Sequence, residues 1–117
     1  MAEGHRERVK RRFLTEDLDS FEAHNALEFL LFYALPRIDT NGIAHRLIDR
    51  FGSFSEVLEA SLDELASVDG VGDNAAIFLK LIHSTVRYYE DDVGRRSEEA
   101  FNSKAAIGKF LVEKYAG

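Results

Sequence analysis

The sequence predicts an all-α fold, a compact domain of about six or seven helices that includes tandem helix-hairpin-helix-like units. Apolar residues recur at helical spacing along most of the chain, and no segment shows the period-2 alternation of a strand. A single proline leaves long stretches free to be helical. With 117 residues, of which 45% are hydrophobic and 31% charged, the chain has the size and balance of one globular domain.

Two helices are expected before Pro36, a residue that disfavours continuation of a helix. The first is short and basic. The second can be capped by Ser20 and runs to Leu35. Each helix is predicted from an apolar face. The faces consist of Val9, Phe13 and Leu14 in the first helix and of Leu27, Leu30, Leu31 and Ala34 in the second.

A third helix is expected after the turn at Pro36. Asp39 or Thr40 can cap its N-terminus, and Gly52 suits the left-handed backbone conformation that often ends a helix. Its buried face would consist of Ile43, Ala44, Leu47, Ile48 and Phe51.

Two short helices are expected next, because a capping-box pattern precedes each of them. Ser53 and Ser61 both precede a glutamate by three residues, so each serine can accept a free helix amide while the glutamate reaches back. The pattern predicts helices over about 54–60 and 62–67.

The C-terminal third is expected to contain one long helix, from about Asp73 to Tyr89. The charged stretch Glu90–Glu99 includes a glycine and is interpreted as a linker or a frayed helix end. Ser103 can cap a last helix. These boundaries give a helical domain at 1–94 and, at 95–117, a linker with a helix leading into a further domain. The apolar face of the last helix would be Ile107, Phe110 and Leu111.

The most informative pattern lies within 62–89, where residues 65–79 read L-A-S-V-D-G-V-G-D-N-A-A-I-F-L. This spacing is typical of a helix-hairpin-helix. Gly70 and Gly72 allow a tight turn with exposed backbone at a helix N-terminus, and the small Ala76 lets the two helices approach closely. The apolar residues that hold the two helices together would be Leu65, Val68 and Val71.

An earlier segment, Leu31–Ile48, has the same layout without the double glycine and is interpreted as a degenerate partner hairpin. Its turn is Pro36–Thr40. Three arginines could lie near this turn or could instead form surface salt bridges with Asp39 and Asp49: Arg37, Arg46 and Arg50.

The glycine-rich turn is the predicted nucleic-acid site. Unpaired amides backed by a helix dipole suit one phosphate oxygen, and such a contact does not read base identity. Asp69 and Asp73 place negative charge at the same turn. The alternative is therefore that Asp73 caps its own helix and the hairpin only packs the domain together. The predicted contacts are Gly70, Val71, Gly72, Asp73 and Asn74.

Charge is unevenly distributed along the chain. Five basic and two acidic residues give the first twelve positions a net charge of +3, whereas the remainder carries −9 within a total of −6. An acidic body repels polyanions, so nucleic-acid binding would need a local basic patch. The alternative is a solvated helix face. The predicted basic contacts are Arg6, Arg8, Lys10, Arg11, Arg12 and Arg37.

Several kinds of chemistry are disfavoured by the residues. Cysteine is absent, which excludes disulfides and thiolate zinc sites and fits a cytoplasmic protein. The four histidines, His5, His24, His45 and His83, show no metal-ligand spacing. No nucleophile elbow, Walker loop or dinucleotide fingerprint is present, so this chain is not expected to be an enzyme or to hold a cofactor. The apolar run Phe29–Leu35 is far too short to cross a membrane, and no signal peptide is recognised.

Four segments together resemble the N-terminal domain of bacterial RadC proteins. They are G-H-R-E-R-V-K-R-R-F at 4–13, F-L-L-F-Y-A-L-P-R-I-D-T-N-G-I-A-H-R-L at 29–47, F-G-S at 51–53 and V-D-G-V-G at 68–72. The resemblance extends from Gly4 to about Tyr89. It implies a helix-hairpin-helix domain of a family usually named for DNA repair.

RadC proteins normally continue into a zinc-binding domain of the MPN (JAMM metalloprotease-like) type. Its H-x-H-P-x-G motif is absent here, so the resemblance implies a fragment, with zinc expected only in that further domain. A monovalent cation at the hairpin carbonyls is compatible with such motifs, although nothing in the sequence requires one. The leading hypothesis is sequence-independent binding of DNA backbone. The alternative is a protein-interaction or regulatory module that docks on the further domain or on another protein.

Overall fold

The computed structural model describes the backbone of residues 2–115 and the side chains of residues 4–104. Within those limits every regular element is helical, which confirms the all-α prediction. The chain divides into two units, Met1–His83 and Ser84–Gly117. The elements are α1 (Ala2–Glu16), a 3₁₀ turn (Leu18–Ser20), α2 (Ala23–Ala34), α3 (Asn41–Phe51), α4 (Phe54–Glu59), α5 (Leu62–Ala66) and α6 (Gly72–Tyr115).

The first two helices differ from the sequence prediction at two places. Ser20 belongs to the 3₁₀ turn and does not cap α2, which begins after Glu22 without a side-chain cap. Leu14 is exposed, although the predicted stripe placed it on the buried side. Phe13 does pack inward, with its ring 5.2 Å from that of Phe29. The two residues differ by one position, about 100° around a helix, and only Phe13 faces α2.

The turn between α2 and α3 is held by side chains on both of its sides. Asp39 Oδ1 accepts a hydrogen bond from the Asn41 amide at 3.0 Å, so the aspartate satisfies the start of α3. Thr40 is buried and its hydroxyl donates to the Glu28 carbonyl at 3.2 Å instead of capping the helix. Gly52 ends α3 with φ +105°, which confirms the predicted positive-φ cap.

The two predicted short helices are present as α4 and α5. Ser53 Oγ accepts from the Glu56 amide at 3.2 Å. Ser61 Oγ accepts from the Glu64 amide at 3.1 Å, and Glu64 Oε1 accepts from the Ser61 amide at 3.1 Å, which completes a capping box. Each serine thus satisfies one of the free amides at the start of its short helix.

The core of the first unit brings one face of each helix from α2 to α6 together. The predicted face of α3 is confirmed, with Ile48 and Phe51 packed at its margin. In α2, Leu30 and Ala34 are only partly buried, whereas the acidic side chain of Glu28 is buried. The fully or almost fully buried residues of this core are Leu27, Leu31, Ile43, Ala44, Leu47, Val57, Leu58, Ala60, Leu65, Val68, Val71, Ala75, Ala76 and Leu79.

The second unit is helical from Ser84 to Tyr115, so the predicted interruption at Glu90–Glu99 is wrong, and Ser103 lies inside α6. Asp92 pairs with Arg95 and Arg96 at 3.6 Å, spacings that stabilise a helix. One glycine costs only about 1 kcal/mol in a helix, which these charged helix-forming residues offset. The division near residue 94 stays a prediction, and the predicted apolar face at Ile107, Phe110 and Leu111 lies outside the described side chains.

Candidate nucleic-acid interface

The candidate site is called here the hairpin turn (residues 67–74), which comprises the turn that joins α5 to α6 and the first residues of α6. Val68 and Val71 are buried, as the helix-hairpin-helix pattern predicts for its apolar anchors. The Val68 amide donates to the Leu65 carbonyl at 3.2 Å, and the Val71 amide donates to the Val68 carbonyl at 3.0 Å. Each bond joins residues three positions apart, so the two bonds close two consecutive tight turns. Helix α6 starts directly after the second turn.

Two glycines give the hairpin turn its path. Gly70 has φ +90°, and a Cβ there would lie 2.9 Å from Ile43 Cγ1. Gly72 has φ +69°, with nothing within 4 Å of the position of a Cβ. Gly70 is therefore required by backbone conformation and by close approach to α3, whereas Gly72 is required by conformation alone.

The hairpin turn presents free backbone donors. In the described part of the chain, no acceptor is recorded for the amides of Gly70, Gly72, Asp73 and Asn74. The Val71 amide is engaged inside the turn and its side chain is buried, so this predicted contact contributes no free donor. The free amides stand at the positive end of the α6 dipole, where an anion is stabilised.

Two arginines from α3 reach the hairpin turn. Arg46 Nε donates to the Asp69 carbonyl at 3.1 Å, and Arg50 Nη1 donates to Ser67 Oγ at 2.7 Å. With Asp49 and Val68 they line an open groove of about 400 Å³. The sequence predicts these arginines near the α2–α3 turn or in surface salt bridges with Asp39 and Asp49. The structure places them here, because α3 packs its Ile43 side against Gly70.

Two carboxylates, those of Asp49 and Asp69, line the same groove. Asp69 and Asp73 are exposed, and no hydrogen bond to the Asp73 carboxylate is recorded among the described residues, so it does not act as a side-chain cap there. The pKa of Glu64 is lowered, chiefly by hydrogen bonds from the Ser61 backbone and hydroxyl, with a smaller contribution from Arg50. The groove therefore combines fixed cations with nearby negative charge.

The predicted basic contacts in α1 fall into two groups. Arg6 donates to the carbonyls of Phe32 (3.0 Å), Leu35 (2.9 Å) and Ile38 (2.6 Å), and so joins α1 to the end of α2 and to the turn after it. Arg12 donates to the Ser20 carbonyl and stacks on a phenylalanine. Both guanidinium groups thus bind backbone carbonyls of the same chain. The helical periodicity of the sequence does not predict this structural role.

The remaining basic residues are more accessible. Lys10 pairs with Glu7 at 3.4 Å and lines a cavity with Arg6 and Pro36 beside the α2–α3 turn. No ion pair is recorded among the described residues for the three exposed arginines of the predicted set, Arg8, Arg11 and Arg37. The contacts that fix α1 are with α2, the 3₁₀ turn and the loop before α3.

The chain is similar in sequence to bacterial proteins of one family name. It is 44% identical over 80 residues to UPF0758 protein FN0909 of Fusobacterium nucleatum, and 37% identical over 81 residues to UPF0758 protein SPO0054 of Ruegeria pomeroyi. Its homologues are UPF0758 proteins. This is the family name of RadC, so the relatives agree with the resemblance found in the sequence.

The matches cover part of each protein. They include 68% and 69% of this chain but 34% and 36% of the two relatives, so the chain spans about one third of their length. No family model matches the chain. No solved structure matches it.

Metal binding and membrane spanning find no support among the described residues. No group of three or more histidine, cysteine, aspartate or glutamate side chains could hold a metal ion within that part of the chain. Among the described helices, none has the length and apolarity needed to cross a membrane.

Proposed function

We propose that this chain is the N-terminal part of a RadC-type protein and binds the phosphate backbone of DNA without reading base sequence. The observation that carries the proposal is the set of free amides at Gly70, Gly72, Asp73 and Asn74, at the N-terminus of α6. Phosphate contacts of this kind position a nucleic acid without specifying its sequence. The UPF0758 relatives support the family assignment.

Positive charge is the second requirement of the proposal. The exposed arginines Arg8 and Arg11 would add attraction at longer range, because they are not used in ion pairs of the described fold. The acidic body opposes binding, so affinity is expected to be weak and strongly dependent on salt. We infer that the chain acts as a binding domain rather than an enzyme.

Fluorescence anisotropy of a labelled oligonucleotide tests the proposal. Contact with about four to six phosphates predicts a log–log slope of affinity against salt of roughly −4 to −5. Arg8→Gln/Arg11→Gln should weaken binding and flatten the slope. The matched control Arg95→Gln/Arg96→Gln makes the same change in charge within the second unit and should not. Absence of binding at low salt, or a slope near zero, contradicts the proposal.

A second candidate function is a protein-interaction module, which the exposed aromatic residues of the second unit favour. The side chains of Tyr88, Tyr89 and Phe101 are largely exposed there. A further domain of the same protein, or another protein, would cover them. Replacement of both Gly70 and Gly72 separates the two functions, because the DNA proposal expects weaker oligonucleotide binding when the backbone that presents the free amides is strained. The interaction module instead expects an unchanged DNA affinity.

A further inference from the structure

Arg46 and Arg50 are fixed cations without a carboxylate partner. Each guanidinium is held by one hydrogen bond, from Arg46 Nε to the Asp69 carbonyl and from Arg50 Nη1 to Ser67 Oγ. Neither has a carboxylate oxygen within 4.0 Å in the described part of the chain, although Asp49 lines the same groove. Because arginine carries five N–H donors, most of those on each side chain stay free.

The arrangement of the two arginines suits an extended anion. They lie four residues apart on α3, so they are neighbours on one helix face. Arg46 also touches the hairpin turn, since its Nη2 lies 3.1 Å from the position of a Cβ on Gly70. One end of the arginine pair therefore adjoins the glycine whose amide is free.

The hydrogen bonds also lower the cost of binding. A free arginine side chain loses rotamer entropy when it grips a ligand, whereas these two are already held in place. Phe51 supports Arg50 further, with its ring centroid 5.2 Å from the guanidinium carbon. The cations are thus held in position before any anion arrives.

We propose that the groove between Arg46 and Arg50 binds a second phosphate of the same nucleic-acid strand whose first phosphate occupies the amides of the hairpin turn. This inference rests on the proposed function. The proposed ligand is therefore a nucleic-acid strand with at least two successive phosphates. A single phosphate group would occupy either the amides or the arginine groove, but not both. The two arginines add charge where Asp69 and Asp73 oppose binding.

The test compares the salt dependence of oligonucleotide binding in wild type and in Arg46→Gln/Arg50→Gln. The double variant should reduce the magnitude of the log–log slope by about 1, the value for one lost phosphate contact. Its affinity should fall about tenfold at moderate salt. Arg95→Gln/Arg96→Gln is the control of equal charge and should keep the wild-type slope. Circular dichroism checks that each variant is folded.

Further variants separate charge from structure. Arg50→Lys and Ser67→Ala both disturb the arginine–serine contact but keep the charge, so they should keep the wild-type slope. If Arg46→Gln/Arg50→Gln does not fold, Arg50→Gln alone carries the test and should still flatten the slope. Wild-type binding with an unchanged slope in the arginine variants overturns this inference alone. Failure of the wild type to bind DNA overturns the proposed function and this inference with it.

Discussion

Gly70 and Ile43 are packed so closely that a Cβ on the glycine would lie 2.9 Å from Ile43 Cγ1 and 3.0 Å from Cδ1. This contact joins the hairpin turn to α3. Ile43 is itself buried, so it has little freedom to move away. The same approach places Arg46 beside the turn, which makes Gly70 a structural requirement both of the fold and of the candidate site.

Gly70→Ala is expected to destabilise the protein by about 2–4 kcal/mol, because strain at positive φ adds to overpacking against Ile43. Gly72→Ala is the matched control, with the same change at a positive φ but with open space around it. It should cost about 1–2 kcal/mol. Urea denaturation measures both, and equal losses in the two variants would contradict the packing argument.

Arg6→Gln is expected to destabilise the protein by about 2–3 kcal/mol, because two carbonyls at the end of α2 and one in the turn after it lose a charged donor. Arg8→Gln removes the same charge from an exposed side chain and should change stability by less than about 0.5 kcal/mol. Thermal denaturation of the two variants tests the difference. A small effect of the Arg6 change would show that these bonds contribute little.

Local patterns predicted the helices well. The capping boxes, the glycine at the end of α3 and the apolar spacing of the hairpin each act over three or four residues, so they can be read directly from the sequence. The continuity of α6 was missed because the isolated glycine at position 94 and a run of charges were interpreted as a break. Ion pairs of Asp92 with Arg95 and Arg96 favour the helix instead.

His5→Ala is expected to destabilise the protein by about 1–3 kcal/mol, because it leaves the buried Glu28 carboxylate without a donor. In the structure His5 Nε2 lies 3.1 Å from Glu28 Oε2, while Oε1 already has no partner among the described residues. Replacing the glutamate as well, in His5→Ala/Glu28→Met, should recover part of the loss. A double variant less stable than His5→Ala would contradict this account.

The capping box of α5 predicts a dependence of stability on pH. Hydrogen bonds from Ser61 lower the pKa of Glu64, so the charged carboxylate is favoured in the folded state. Its contribution is present above the pKa of the unfolded chain and is lost as pH falls through the lowered folded pKa. Glu64→Gln can form the box without titrating.

The unfolding temperatures of wild type and Glu64→Gln, measured from neutral to acid pH, test this prediction. The unfolding temperature of the wild type should exceed that of Glu64→Gln at neutral pH, and this difference should shrink as pH falls below about 4. If the difference in unfolding temperature does not change with pH, the stabilisation comes from packing and not from the charge of the carboxylate.

The candidate site was predicted in part. The glycines and apolar anchors of the hairpin follow a short sequence pattern, and the turn lies where that pattern indicates. The partners of Arg6, Arg46 and Arg50 could not be predicted, because long side chains reach across 17 to 32 positions to carbonyls and hydroxyls of other elements. The burial of Glu28 was missed for the same reason, since only tertiary packing decides it.

If the free amides of the hairpin turn hold a phosphate, the NMR chemical shifts of those backbone amides report the contact. The ¹⁵N-labelled chain would be titrated at low salt with a short DNA oligonucleotide. We expect the amide resonances of Gly70, Gly72, Asp73 and Asn74 to shift together with one saturating affinity, while that of Val71, already bonded to Val68, shifts less. Saturable binding that leaves those four resonances in place would contradict the proposed phosphate contact.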